Sequence, residues 1–298
     1  MQIVLIGNPT RDRIVRDGKI VNTLGGTVLY AGLFLARSGI PVSIVGKGDK
    51  EMLAWIESRG IGSEHFILSH RVAAFENYYG LTGRKQQAQP GSNIDCSEVP
   101  HTAYRASGIL VGAVLMEVDP RIIISPRSGL LMVDAQGFIR ILEDDGRVAL
   151  RFNPALEEAI SGCDILKADG HEAEAITGTN DVRESARRLY QMGPRIVIIT
   201  LAARGCGIFD GHRWIRIRAP ELHVADPTGA GDVFDAAFLA EYLRAEDVIT
   251  AGCCGTVAAS LSVAGLGTAA VPSAGQVRQV IRDRYRADHM VVVERLIG

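Results

Sequence analysis

The chain has 298 residues, 47% of them hydrophobic and 22% charged, with a formal net charge of −2. That is the composition of a globular protein with a large core, long enough for one α/β domain. So little net charge argues against nucleic acid or an anionic membrane as partner, and the longest apolar run, 108–116, is too short to span a bilayer.

Ile3-Val4-Leu5-Ile6 reads as a buried strand ended by Gly7-Asn8-Pro9. No basic stretch precedes it, so no secretory leader is expected. Asp17-Gly18 between Arg13-Ile14-Val15-Arg16 and Lys19-Ile20-Val21-Asn22 predicts a hairpin projecting from the main body. Gly25-Gly26 leads into a mostly apolar helix from Thr27, ended by Gly39 and Pro41. A strand over 42–45, a helix over 49–58 and a strand over 65–68 set up a βαβ rhythm, which 71–89 interrupts. The aromatic and polar residues Phe75, Glu76, Asn77, Tyr78, Tyr79 and Arg84 suit strands of a half-exposed sheet turning over 80–83. We pair this segment with the first hairpin as one lid. From Gly108 strands and helices alternate again: strands over 109–112, 130–134, 164–167 and 196–200, with helices near Pro120 and over 154–160, 171–177 and 181–192. A hairpin over 206–210 and 213–218 and two or three helices between 229 and 286 complete the chain. The alternation predicts an α/β fold with a central, mostly parallel sheet, helices on both faces and a small β lid. With no repeat or low-complexity linker, one domain over 1–298 is the economical reading, with lid segments at about 9–24 and 70–90. The tail Val291-Val292-Val293 suits an edge strand or an oligomer contact, and a homodimer is left open. The stretch 278–286 reads as a solvated helix face.

Five cysteines (Cys96, Cys163, Cys206, Cys253, Cys254) and seven histidines show no metal-ligand spacing, which agrees with a cytoplasmic protein. In open α/β sheets ligands bind beyond the carboxyl ends of the strands. Asp12, Asp134, Asp169 and Thr200 fall there. So does Ala225-Asp226-Pro227-Thr228-Gly229-Ala230-Gly231-Asp232, which opens a long helix. A helix start exposes unpartnered N–H groups and partial positive charge, and side chains this small let an anion approach. Asp232 then places a carboxylate beside that anion. Such an arrangement suits deprotonation of a hydroxyl next to a phosphoryl group. Two rival nucleotide devices are missing: Gly46-Lys47 is followed by Gly48 rather than Ser or Thr, and Phe234 stands where a dinucleotide fingerprint needs its third glycine.

The run Asp226-x-Thr228-Gly229-Ala230-Gly231-Asp232 resembles the C-terminal signature of the ribokinase-like (PfkB) carbohydrate kinases, and Gly25-Gly26 with its helix is similar to their N-terminal signature. The resemblance implies an ATP-dependent phosphotransferase acting on a sugar, cyclitol or nucleoside. Asp232 would be the general base and the N–H groups of Gly229, Ala230 and Gly231 the anion hole. Asp12, Gly25, Gly26 and Asn77 would bind the acceptor, although Asn77 suits a sheet surface equally well. Asp169-Gly170-His171-Glu172 is similar to the family's Asn-x-x-Glu motif and would arrange Mg2+ through water at Glu172 and Asp169. Thr200 with Gly205, Thr228 and Thr256 would line the nucleotide. The chain departs from the family's pattern at Tyr30, Asp169, Ala202 and Thr256; Tyr30 stands where many relatives have a sugar-contacting asparagine. The Asp226-Pro227-Thr228 variant and Phe75-Glu76-Asn77-Tyr78 resemble the inositol-kinase-like branch. A nucleoside kinase of the same family and a catalytically silent sugar- or nucleotide-binding regulator are the alternatives.

Overall fold

The computed structural model describes residues 1–16, 19–80, 83–153, 155–284 and 290–295. The chain opens with β1 (Ile3–Ile6), β2 (Thr10–Arg16), β3 (Lys19–Gly25), α1 (Thr27–Arg37), β4 (Val42–Gly48), α2 (Lys50–Glu57), β5 (Gly62–Leu68), β6 (Ala73–Gly80) and β7 (Gly83–Gln89). The middle contains β8 (Gly108–Val111), α3 (Arg121–Ile124), β9 (Leu130–Asp134), α4 (Gln136–Ile139), β10 (Arg140–Leu142), β11 (Val148–Leu150), α5 (Ala155–Ser161) and β12 (Ile165–Asp169). It ends with α6 (Gly170–Thr177), α7 (Val182–Gln191), β13 (Ile196–Thr200), β14 (Cys206–Phe209), β15 (Arg213–Ile217), α8 (Ala230–Ala245), α9 (Val248–Ser262), α10 (Ala274–Arg284) and β16 (Val291–Arg295).

Among the described residues the main sheet has ten strands in the order β16-β15-β14-β13-β12-β9-β8-β1-β4-β5. Every neighbouring pair from β13 to β5 is parallel, and β14, β15 and β16 add on antiparallel. The alternation of strand side chains explains how two cores form. Ile3 and Leu5 of β1, Met132 of β9, Ile165 of β12 and Ile198 of β13 pack with α1, α8 and α9 on one face. Val4, Ile6, Val133, Leu166 and Val197 pack with the short helices on the other. The same parity carries Asp134 and Lys167 onto the α8 face at the carboxyl ends of their strands, where the apolar core gives way to a polar site. The tail is an edge strand: Val293 of β16 registers with Ile215 of β15.

The lid segments form a separate four-stranded sheet, β3-β2-β6-β7, in which β2 and β6 are parallel and the outer pairs antiparallel. Residues Asp12, Phe75 and Ala88 share its inner face. There Ala73, Phe75 and Ala88 pack on Val114 and Leu115 from the segment after β8, making a small third core. Buried Glu117 holds that segment by accepting the backbone N–H groups of Val114 and Leu115 at 2.8–3.0 Å. The outer face is open, with Ile20 52% and Tyr78 37% exposed. The Asp17-Gly18 turn, residues 81–82 of the second turn, Pro154 at the predicted start of α5 and the end of the 278–286 stretch lie outside the described residues. Sequence analysis did not anticipate the β10–β11 hairpin, although Asp145-Gly146 carries a turn signal; strands of three residues leave too little alternation to read.

Candidate active site

The site is built around the start of α8. Helices α2, α6, α7 and α9 are each capped by an aspartate side chain, whereas α8 begins at Gly229 with no side-chain cap. The Ala230 N–H donates to Pro227 O at 3.4 Å, and with no side-chain cap on the helix the N–H groups of this turn are ones an anion can bond. Gly229 holds φ +77°, and a Cβ there would lie 2.3 Å from the ring of Tyr30. Tyr30 is thus a buried floor under the glycine turn, which is what the residue at this departure point does here. Asp226 fixes the turn from the other side: its carboxylate accepts the N–H of Thr228 at 3.0 Å and of Gly267 at 3.1 Å. Along the helix, Phe234, Phe238 and Tyr242 stack at i, i+4 spacing with centroids 6.0 and 5.9 Å apart, anchoring α8 in the core.

Asp232 lies in the first turn and is nearly buried. Its Oδ1 accepts the hydroxyl of Thr27 at 2.8 Å and the amide of Gln136 at 3.3 Å, and Gln136 also donates to Thr27 at 3.1 Å. Arg140 in turn donates to Gln136 Oε1 at 2.8 Å, so the amide is oriented with its NH2 toward the carboxylate. With Oδ1 committed twice, Oδ2 is the oxygen left to receive a proton. Burial, and next the charge of Asp134, raise the pKa of Asp232 above the ordinary aspartate value, against the opposing pull of Lys167, Thr27 and Arg140.

The acceptor side adjoins this carboxylate through the chain itself. Asp12 is buried, bonded to Thr10 Oγ1 at 2.7 Å, and packed so closely on Gly25 that a Cβ there would sit 2.3 Å from its Oδ2. Gly25 and Gly26 lead directly into Thr27, the residue that touches Asp232. Asn77 stands one row further along the inner lid face, buried, with Oδ1 accepting the amide of Gln86 at 2.9 Å.

Between β9, β12 and α8 lies a buried charge cluster. Lys167 donates to Asp134 Oδ2 at 2.8 Å and lies 3.8 Å from Asp235 Oδ2. Asp134, Asp232 and Asp235 offer oxygens within 4.8 Å of one another, the spacing of a metal site. An ammonium already stands among them. Burial opposes its charge, but Asp134, Asp235 and Glu172 together raise Lys167 well above the ordinary lysine value. Asp235 is pushed well above the carboxylate range by burial and by Asp134 and Asp232, against Lys167.

On the donor side, Asp169 and Glu172 form a capping box at α6: Glu172 N–H donates to Asp169 at 2.8 Å and Asp169 N–H to Glu172 at 2.7 Å. Burial, then Asp134 and Asp169, push Glu172 up to about 7. Thr200 registers with Asp169 across β12 and β13, and Gly205 turns the chain into β14 three residues after Ala202. Thr256 is buried with its hydroxyl 3.4 Å from Cys206 Sγ, the residue opposite Thr200 in the β13–β14 register. Sequence reasoning reached Asp232, the glycine run, Asp12 and the Asp169–Glu172 pair. It missed Thr27, Gln136, Arg140, Lys167 and Gln86. A lysine on the core-facing side of β12 was the signal available for Lys167, since a buried ammonium requires partners.

Residues 134–274 match the family described as pfkB family carbohydrate kinase. A cytidine kinase of Thermococcus kodakarensis is 34% identical over 263 residues, covering 82% of this chain and 89% of that protein. The chain belongs to the PfkB family. It is accordingly a kinase, an ATP-dependent phosphotransferase whose acceptor is a hydroxyl of a carbohydrate or similar molecule. A nucleoside kinase of Methanothermobacter thermautotrophicus is 36% identical over 122 residues, 41% of this chain and 38% of that one. Among solved structures, a pyrophosphate-dependent kinase in the ribokinase family, complexed with a pyrophosphate analog and myo-inositol, superposes with TM-score 0.81. It is 25% identical, and the match covers 89% of this chain and 96% of that chain. This kinase has no helix, among its described residues, long and apolar enough to cross a membrane.

Proposed function

We propose that this kinase moves the γ-phosphoryl group of ATP to a hydroxyl of a nucleoside, with Asp232 as general base. The observation that carries the mechanism is the fixing of Asp232 Oδ1 by Thr27 and Gln136 at the uncapped start of α8. Asp232 takes the proton of the acceptor hydroxyl, the acceptor oxygen bonds to the γ-phosphorus, and the bond to the bridging oxygen breaks to release ADP. The N–H groups of Gly229, Ala230 and Gly231 hold the charge that develops on the transferring group. Asp12, with the backbone at Gly25 and Gly26, binds the acceptor; Thr200, Gly205 and Thr228 line the nucleotide path.

Mg2+ fits at Glu172 and Asp169. A buried carboxylate whose pKa is raised beside two other acids gains from a divalent cation, and Mg2+ needs few protein ligands when waters and phosphates complete its shell. Bound there, it neutralises donor phosphate charge. In this reading the chain is one catalytic domain, and the four-stranded sheet is a lid that excludes water from the reacting groups. An ATP donor and five free thiols suit a cytoplasmic setting.

A nucleoside takes first place as acceptor because the cytidine kinase is similar over nearly its whole length. A cyclitol is the second reading, favoured by the myo-inositol-bound neighbour and by the polar inner lid residues Asp12, Asn77 and Gln86. A coupled assay of ADP release with Mg-ATP decides between them across cytidine, other nucleosides, pentoses, hexoses and myo-inositol. Nucleosides are expected to show kcat/KM at least about tenfold above the rest, a difference of about 1.4 kcal/mol in transition-state binding. Turnover of myo-inositol or hexoses with none of nucleosides would overturn the acceptor assignment.

A further inference from the structure

Lys167 serves none of the roles assigned above, yet its ammonium sits at the centre of the site. It is 4% exposed, and its partner Asp134 is the residue opposite it in the β9–β12 register. Its Nζ also lies against the first turn of α8: a Cβ on residue 231 would stand 2.8 Å from it. Asp235, one turn further along α8, is fully buried beside Asp134, and the Lys167 ammonium lies 3.8 Å from its Oδ2. One side chain from the sheet thus meets α8 at two points, on either side of Asp232 in sequence.

We propose that Lys167 is a positioning residue for phosphoryl transfer, acting through Gly231 and Asp235 to seat the first turn of α8 on the carboxyl ends of β9 and β12. The physical case rests on what α8 lacks. Its start has no side-chain cap; Asp226 holds the turn before it and Thr27 and Gln136 hold Asp232 after it, and these bonds leave the restraint of Gly231 itself to another group. The apolar contacts that anchor the helix begin at Val233 and Phe234, beyond the groups that must meet the phosphoryl oxygens. A fixed ammonium beneath Gly231 supplies that restraint, and it places a full positive charge under a site where negative charge accumulates. It also pairs with two of the three clustered acids, Asp134 and Asp235, so this cluster has a built-in cation and does not call for a metal. Gly231 is then a glycine for a second reason, since any side chain would displace the ammonium.

The inference rests on the kinase mechanism proposed above, and the test separates the two. Three variants, Lys167→Met, Asp235→Asn and Lys167→Met/Asp235→Asn, are compared for kcat, for the KM of ATP and acceptor, and for melting temperature. Lys167→Met is expected to lower kcat about 10²-fold, the cost of a small misplacement of reacting groups, with acceptor KM within about threefold. It is also expected to melt lower, because the buried Asp134 carboxylate loses its ammonium partner. The double variant is expected to regain melting temperature while kcat stays low. Recovery of kcat together with stability would make Lys167 a charge balancer only and overturn the proposal. So would a Lys167→Met enzyme with kcat within about threefold of wild type. If Lys167→Met does not fold, the double variant carries the same two outcomes. Asp232→Asn, assayed beside them, reports on the underlying mechanism: an active Asp232→Asn enzyme refutes the base, whatever Lys167 does.

Discussion

The two halves of the site are built on different principles. The phosphoryl end sits where the parallel strands β9 and β12 meet α8, and its groups are buried and cross-tied: Asp134 and Asp235 are fully buried, Lys167 nearly so, and Asp232 is held by two donors. The proposed acceptor end is one layer of four strands. Its inner face packs on Val114 and Leu115, and its outer face is open to solvent. Chemistry that tolerates little displacement is placed on elements that cannot move without unpacking two cores. Recognition as proposed, which must admit and release a small molecule, falls on a sheet with one thin core beneath it.

That contrast can be broken at either end. The largest effect is expected from pH. Asp232 must be ionised to act, and its pKa is raised by burial and Asp134, so kcat should fall about tenfold per pH unit below a limb that lies above the ordinary aspartate value of 3.8. A rate profile from about pH 4 to 9 at saturating substrates checks this. Stability has the opposite sign. A carboxyl whose folded pKa is raised stabilises the fold below its unfolded pKa, and that contribution is lost as pH rises through the folded value. For Glu172 the window runs from 4.5 to about 7. Without Mg2+, the wild type should therefore melt lower at pH 7.5 than at pH 5.5 by a few °C, on the order expected for about 1 kcal/mol in a chain of this size.

Gly229→Ala should come next. A left-handed backbone costs a non-glycine residue about 1–2 kcal/mol, and the new methyl would strike Tyr30, so kcat should fall about 10–100-fold with a lower melting temperature. Gln136→Leu removes one donor from Asp232 and should lower kcat about tenfold while acceptor KM holds, which steady-state kinetics will show. At the lid, Gln86→Leu should raise acceptor KM severalfold and leave ATP KM unchanged, because it removes a hydrogen bond that orients Asn77. Least of all, Arg11→Ala breaks the exposed pairs with Asp49 and Glu51 that tie the lid to α2, and kcat should stay within about twofold. A large loss there would mean that the lid, too, is rigidly tied.

Legibility in the sequence follows the same division. The central sheet was readable because parallel strands buried on both faces are apolar runs, and because Asp and Gly mark the helix ends. The candidate phosphate device was legible because Gly229, Ala230, Gly231 and Asp232 are contiguous. Its supports were not. Thr27, Gln136 and Lys167 reach Asp232 or α8 only through the order β12-β9-β8-β1 and the register of Lys167 with Asp134, which no local pattern encodes. Asn77 was named as a candidate, but Gln86 pairs with it across a turn whose register the sequence leaves open. Tyr30, noted as a departure in the acceptor region, packs under Gly229 instead.

The most direct test of the account is single-turnover phosphoryl transfer by Asp232→Asn, with ATP and acceptor binding measured separately by calorimetry. Both ligands are expected to bind within about threefold of wild type while transfer slows by about 10²–10⁴-fold. Transfer at the wild-type rate with both ligands bound would contradict it.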